Sequence, residues 1–272
     1  MHCPILKLVS ILNTLIMAKS KTIVLVHGMF VNDSTWSEWK NYYEQKGYTV
    51  YAPANPGHDG DPAALRENIH PELVDTGFID VVQNIAKLID TLPEKPLVIG
   101  HSMAGLAVQK LIDLGKADAA VSINGAPPKN VLPPFSTVKI VWPAVNFFSS
   151  KGYYLGSRDW YNRAFFNTLP KPEQDKAYDL IAVPESRKIG RETLLKSFSN
   201  ADFKKPHQPI LFIGGGNDNI FPPALTKKIA AQYKDPNSRV DVKIYDTKSH
   251  FICGEKGWEA IADYILNWYS NL

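Results

Sequence analysis

The segment PLVIGHSMAG at positions 96–105 constrains this chain more than any other part of its sequence. Its apolar half is typical of a buried strand, and the residues after it, LAVQKLI at 106–112, are typical of a helix. A serine at such a junction lies on a sharp strand-to-helix turn, with its hydroxyl clear of the backbone and close to the helix N-terminus. We therefore expect Ser102 to be placed as a nucleophile.

Apolar runs alternate with amphipathic stretches along most of the chain. Strands are predicted at 22–26, 48–52, 96–101, 119–124, 209–213 and 240–245, and helices at 34–46, 78–92, 103–115, 222–234 and 257–270. Repeated β–α units imply an α/β fold, with a mostly parallel sheet covered by helices on both faces. The alternation stops between about 125 and 205. This stretch is predicted to be a helical cap inserted into one domain that spans 21–272.

Two further residues complete a pattern of nucleophilic catalysis. Asp218 follows the predicted strand 209–213 in a glycine-rich turn, and His250 follows the strand 240–245. The carboxyl ends of parallel strands lie at one edge of a sheet, so both side chains are expected near Ser102. Histidine can accept the serine proton, and a carboxylate can orient the imidazole. Asp246 is the rival acid, but it follows the same strand as His250.

The remaining candidate residues surround this serine. The backbone N–H groups of Met29 and Met103 are expected to form the oxyanion hole. Ten of the chain's thirty aromatic residues lie between positions 135 and 166. They are expected to build both a small cap core and an apolar pocket over the serine. Phe30, Trp142 and Trp160 are the predicted substrate contacts.

The motifs together resemble the α/β-hydrolase superfamily, in its esterase, lipase and cofactor-free haloperoxidase-like branch. The matching segments are 27–30, 55–58, 100–105, 215–222 and 249–251, and the resemblance covers about 20–272. It implies the α/β-hydrolase fold, a two-step acyl-enzyme mechanism and no cofactor. Ala104 departs from the family's pattern, which usually has glycine there.

The predicted activity is cleavage of a carboxylic ester, or of a lactone or thioester, in a small to medium hydrophobic molecule. One alternative uses the same three residues for perhydrolysis, hydroxynitrile cleavage or carbon–carbon bond hydrolysis. The other alternative is a ligand-binding protein of this fold that is not an enzyme. The sequence specifies neither the substrate nor the oligomeric state.

Composition argues against several other classes of function. Thirty basic and 27 acidic residues give a net charge of +3, and no nucleic-acid partner is expected. Two cysteines and scattered histidines predict neither a disulfide framework nor a metal site. His27 and His101 are interpreted as structural residues, His58 as a loop residue and Cys253 as an inert thiol.

The N-terminus has an apolar stretch at 4–18 that only weakly resembles a signal peptide. Its positive charge is slight, and Ser10 and Asn13 interrupt the apolar run. Translation from Met17, or a dispensable extension over about 1–20, is the favoured interpretation. A cytoplasmic protein without a stable membrane span is therefore expected.

Overall fold

Six parallel strands form the centre of the structure, a computed structural model that describes residues 19–272. The main sheet contains β1 (Thr22–Val26), β2 (Thr49–Tyr51), β3 (Leu97–His101) and β4 (Ala119–Ile123). Two short strands follow, β5 (Tyr153–Tyr154) and β6 (Glu185–Ser186), and the main sheet is completed by β7 (Ile210–Gly215) and β8 (Val240–Tyr245). The order β2-β1-β3-β4-β7-β8, with every pair parallel, confirms the predicted α/β architecture.

Ten α-helices accompany these strands in the described part of the chain. They are α1 (Ser37–Gln45), α2 (Pro62–Glu67), α3 (Phe78–Asp90), α4 (Met103–Asp113), α5 (Phe135–Val145), α6 (Arg158–Ala164), α7 (Lys171–Ile181), α8 (Arg187–Leu195), α9 (Pro223–Ala230) and α10 (Trp258–Ser270). Three 3-10 turns lie at Asp33–Trp36, Pro71–Asp75 and Ser197–Ser199. The five helices expected from the sequence are found within a few residues of their predicted bounds.

Alternation along the central strands explains why helices cover both faces of the sheet. Ile23 and Leu25 point into one apolar layer, and Val24 and Val26 point into the other. All five residues of β1 are buried, as expected of a strand with helices on both sides. Each face of the sheet therefore carries part of the core, and the carboxyl ends of the parallel strands lie at one edge.

The segment between β4 and β7, which we call the inserted segment, contains α5 to α8 and the antiparallel pair β5–β6. The main sheet and the other helices form the main body. Sequence patterns indicated no strand here, because two-residue strands are too short to show a period. Tyr161 anchors the segment to the main body. Its hydroxyl donates to the carbonyl oxygen of Phe30 at 2.6 Å, and its ring stacks on Phe166 at 5.7 Å between centroids.

A buried ion pair makes a second link between this segment and the main body. The carboxylate of Glu185, in β6, lies 3.1 Å from Nε2 of His58, and both side chains are 1% exposed. The other ring nitrogen of His58 lies 3.2 Å from the carbonyl oxygen of Pro56. Since both neighbours are acceptors, the geometry favours a doubly protonated His58. His58 lies in a loop, as expected, but its partner is 127 positions away, a pairing that no local sequence pattern indicated.

The charge of His58 follows from a balance of opposing effects. Burial lowers the pKa of His58, but the Glu185 carboxylate and nearby backbone carbonyls raise it by more than burial lowers it. The pKa of His58 therefore lies above its usual value of 6.5. His27 packs against it at 5.2 Å between ring centroids. Burial and the charge of His58 lower the pKa of His27 to about 3, so His27 is neutral near pH 7.

Residues 1–18 lie outside the described part, so the predicted extension and the start at Met17 are not addressed by the structure. Within residues 19–272, no helix is long and apolar enough to cross a membrane.

The ion pair predicts a specific dependence of stability on pH. A histidine whose pKa is raised by folding stabilises the fold below the unfolded pKa, and this contribution is lost as pH rises through the folded value. Glu185→Gln is therefore expected to lower the free energy of unfolding by about 3 kcal/mol at about pH 6, and by clearly less at about pH 9. Urea denaturation at both pH values measures the difference.

The matched control is Asp179→Asn, which breaks the exposed ion pair between Arg158 and Asp179. Its effect is expected to be small and the same at both pH values, because an exposed ion pair contributes little. An equal loss in Glu185→Gln at the two pH values would show that His58 is not charged in the folded protein.

Candidate active site

Ser102 occupies the turn between β3 and α4 in a backbone conformation that serine rarely adopts. Its φ of 59° and ψ of −124° cost about 1–3 kcal/mol for a residue with a side chain. Backbone hydrogen bonds hold it there. Its N–H donates to Ile123 at 3.0 Å, and its carbonyl accepts from Gly105 and Ala126, each at 2.9 Å. The conformation projects the hydroxyl away from both strand and helix.

Glycines make this turn sterically feasible. A Cβ on Gly100 would lie 2.2 Å from the carbonyl oxygen of Ala104, and one on Gly105 would lie 2.5 Å from Cα of Gly125. A Cβ on Gly28 would lie 2.7 Å from Cβ of Ser102. Ala104 itself is fully buried in the core beside these contacts. The glycine needed for the close crossing is thus at 105, and the departure at Ala104 leaves the turn intact.

The three predicted side chains form one hydrogen-bonded chain. Nε2 of His250 lies 3.0 Å from Oγ of Ser102, and Nδ1 of His250 lies 2.8 Å from Oδ2 of Asp218. Ser102 is 6% exposed, Asp218 3% and His250 0%, so water does not compete strongly for these bonds. A carboxylate beside Nδ1 favours the tautomer whose Nε2 can accept a proton from the serine.

The second oxygen of Asp218 orders the turn that carries it. Oδ1 accepts hydrogen bonds from the N–H groups of Ile220 and Phe221, at 2.7 and 2.9 Å. The carboxylate therefore fixes its own loop with one oxygen and contacts the histidine with the other. Asp246, the rival acid, is exposed and lies outside this hydrogen-bonded chain.

Asn124 joins the loops of the acid and the histidine. Its Nδ2 donates to the carbonyl oxygens of Ser249 and His250, and its Oδ1 accepts from the N–H of Gly215 at 2.6 Å. The residue is fully buried at the end of β4, with a φ of 44°. His101 adds a contact of 2.8 Å between Nε2 and the carbonyl oxygen of His250. Sequence reasoning did not identify Asn124, and its position at a strand end was the one available signal.

A buried carboxylate supports the histidine loop from the other side. Glu255 accepts from the N–H of Ser249 at 2.7 Å and from Oγ1 of Thr168 at 3.0 Å. The thiol of Cys253, which is partly buried in the same loop, has a pKa raised by burial and by the charge of Glu255. A raised pKa keeps a thiol protonated and unreactive.

The candidate oxyanion hole consists of two backbone N–H groups, in residues that line the same cavity as Ser102. The N–H of Phe30 donates to Oε2 of Glu185 at 3.1 Å and is occupied, whereas the N–H groups of Met29 and Met103 donate to no other described residue. Phe30 has a φ of 70°, in the left-handed region, and this conformation bends the loop that follows β1. Glu185 therefore engages the peptide next to Met29, which is a role that no local sequence pattern indicated.

A cavity of about 180 Å³ opens onto Ser102 between the main body and the inserted segment. The predicted contacts Phe30, Trp142 and Trp160 all line it, as do Met29 and Met103. The remaining walls are mostly aliphatic or aromatic, with Val138, Val141, Val145, Phe147, Phe165, Leu194, Ile220 and Phe221 among them. The site therefore combines the hydrogen-bonded residues Ser102, His250 and Asp218 with a cavity whose walls are mostly apolar.

The aromatic residues of the inserted segment separate into three groups. Trp160 and Phe165 are buried and face the cavity, whereas Tyr161 and Phe166 are buried where the segment packs on the main body. Phe135 and Phe148 are 80% and 89% exposed. Some of these aromatics therefore belong to a core and others to the pocket, and the two roles fall on different residues.

Among residues 19–272, no group of three or more His, Cys, Asp and Glu side chains has an arrangement that could hold a metal ion.

Comparison with known proteins gives a family and a set of similar folds. The model of the alpha/beta hydrolase family matches residues 23–263. No curated protein matches the sequence significantly.

Solved structures similar to this chain include a methylesterase from Arabidopsis, with 14% identity, a TM-score of 0.67 and coverage of 92% of this chain and 99% of that one. A monoacylglycerol lipase from Paleococcus ferrophilus has 19% identity, a TM-score of 0.64 and coverage of 92% and 94%. Polyneuridine aldehyde esterase has 17% identity, a TM-score of 0.64 and coverage of 92% and 99%. At these identities the similarity shows the fold. Together with the family match over most of its length, it shows that the chain belongs to the alpha/beta hydrolase family and is a hydrolase.

Proposed function

We propose that this hydrolase cleaves carboxylic esters of small to medium hydrophobic molecules through an acyl-Ser102 intermediate. The observation that carries the proposal is the buried chain from Ser102 through His250 to Asp218, at 3.0 and 2.8 Å, beneath an apolar cavity. A serine hydroxyl is a weak nucleophile at neutral pH, and the imidazole of His250 is the base that can remove its proton.

The first step forms the acyl-enzyme. Oγ of Ser102 attacks the ester carbonyl while its proton moves to Nε2 of His250. Asp218 stabilises the resulting imidazolium through its bond to Nδ1. The N–H groups of Met29 and Met103 receive the negative charge that develops on the carbonyl oxygen, an interaction worth about 3–4 kcal/mol for one donor in a comparable site.

The second step restores the enzyme. His250 returns the proton to the leaving alcohol, which departs as the tetrahedral intermediate collapses. A water molecule, deprotonated by the same imidazole, then attacks the acyl group. The second tetrahedral intermediate uses the same two N–H groups, and its collapse releases the acid and regenerates the hydroxyl of Ser102.

The cavity supports a preference for apolar substrates. A cavity of about 150 Å³ is known to hold benzene, so 180 Å³ suits a phenyl group or a short to medium acyl chain. Val141, Trp142 and Leu194 would contact such a group, and the aliphatic side chains of Val141 and Leu194 offer no partner to a charged substrate. We assign substrate contacts to Phe30, Trp142 and Trp160 on the same grounds.

Ser102→Ala is expected to lower kcat for p-nitrophenyl butyrate by about ten-thousandfold or more, because it removes the nucleophile while the cavity remains. The circular dichroism spectrum should not change. Ser122→Ala is the matched control, since Ser122 is a buried serine in the neighbouring strand whose hydroxyl has no hydrogen-bond partner in the described structure. Full activity of Ser102→Ala would place the nucleophile elsewhere.

Acyl-chain length tests the role of the cavity. Each methylene added between acetyl and hexanoyl esters is expected to raise kcat/KM by about fourfold, because burial of a methylene stabilises by about 0.8 kcal/mol. Val141→Phe narrows the cavity and should reduce kcat/KM more for hexanoate than for acetate. The comparison requires steady-state kinetics on both proteins with p-nitrophenyl esters. A flat series in the native protein would contradict this role for the cavity.

A further inference from the structure

Several exposed apolar side chains line the cavity or lie within two positions of a residue that lines it, and we call them the apolar rim. Of the twelve large hydrophobic side chains that are exposed in the described residues, eight belong to this rim. They are Leu132, Phe135, Val138, Trp142, Phe147, Phe148, Leu194 and Leu195. Four of the eight also line the cavity, so the rim is continuous with the proposed substrate site. Clustered exposure of this kind marks an interaction surface.

The rim is held in place by an arginine beneath it. The guanidinium of Arg191 donates to the carbonyl oxygens of Val145, Asn146 and Ser149, at 3.1, 2.5 and 3.1 Å. It also lies 5.9 Å from the centroid of the Phe147 ring. These contacts order the loop that displays Phe147 and Phe148. The 89% exposure of Phe148 is therefore a feature of a fixed loop.

Cationic residues accompany the apolar ones. The sequence has no Asp or Glu between positions 119 and 158, whereas Lys129, Lys139 and Lys151 lie there and are exposed. Lys196, also exposed, directly follows Leu195. The one acid of α8, Glu192, is buried and accepts from the backbone N–H of Ile79 at 3.3 Å. The segments that carry the rim thus have exposed lysines and no exposed acid.

We propose that the apolar rim docks on an anionic lipid surface, with Phe135 and Phe148 inserted among the acyl chains. Exposed aromatic and aliphatic residues next to lysines are the combination that binds such interfaces, because burial and charge attraction add. A second copy of this chain is the less suitable occupant, since two copies would bring like charges together. In the docked orientation the cavity mouth faces the lipid, and an apolar ester can enter from the bilayer.

The test is flotation of the full chain with lipid vesicles. Vesicles of phosphatidylcholine with about 30 mol% phosphatidylglycerol should bind the native protein, and pure phosphatidylcholine should bind it several times more weakly. Phe135→Ser combined with Phe148→Ser should reduce binding to the anionic vesicles by about tenfold or more. Neither residue lines the cavity, so turnover of soluble p-nitrophenyl acetate should be retained in this variant.

The matched control combines Leu114→Ser and Leu180→Ser, which replace two exposed leucines outside the rim. It is expected to bind the vesicles as the native protein does. Equal binding of the two double variants would overturn the proposal, and so would absence of binding in the native protein. A stable dimer in sedimentation that is lost in the phenylalanine variant would also overturn it, in favour of a second copy. Since the soluble ester reports hydrolysis independently, failure of docking is distinguishable from failure of the proposed function.

Discussion

The strained turn at Ser102 is the constraint on which the rest of the site depends. A positive φ at a residue with a side chain persists only when its surroundings fix it. Here the glycines at 28, 100 and 105 allow strand, helix and loop to approach without steric conflict. The parallel sheet then brings the ends of β7 and β8 to the same edge. Asp218 and His250 reach the serine because those neighbouring strands end there.

The three site residues could be anticipated from the sequence because each lies in the turn or loop that follows a strand, and strand ends in a parallel sheet meet at one edge. Local patterns of burial and turn residues carry that information. The strands and main helices were predictable for the same reason. Asn124 is different, because its three hydrogen bonds join loops that are distant in sequence. No local pattern distinguishes it from any other asparagine at a strand end.

The inserted segment was the least predictable part. Its position between β4 and β7 follows from the interrupted alternation, but the partnership of Glu185 with His58 spans 127 positions. The segment is also rich in aromatics on several helix faces, so periodicity could not sort those facing the cavity from those facing solvent. The structure separates them: Trp160 and Phe165 line the cavity, and Phe135 and Phe148 are exposed. One segment therefore presents an apolar inner wall and an apolar outer rim.

The most direct test of the proposed nucleophile is covalent labelling with a fluorophosphonate, followed by intact-mass and peptide analysis. A fluorophosphonate phosphonylates an activated serine, and an ordinary buried hydroxyl does not react. One adduct per chain is expected, located on Ser102 and absent after His250→Ala. An unlabelled protein, or an adduct on another serine, would contradict the assignment of Ser102 as the nucleophile.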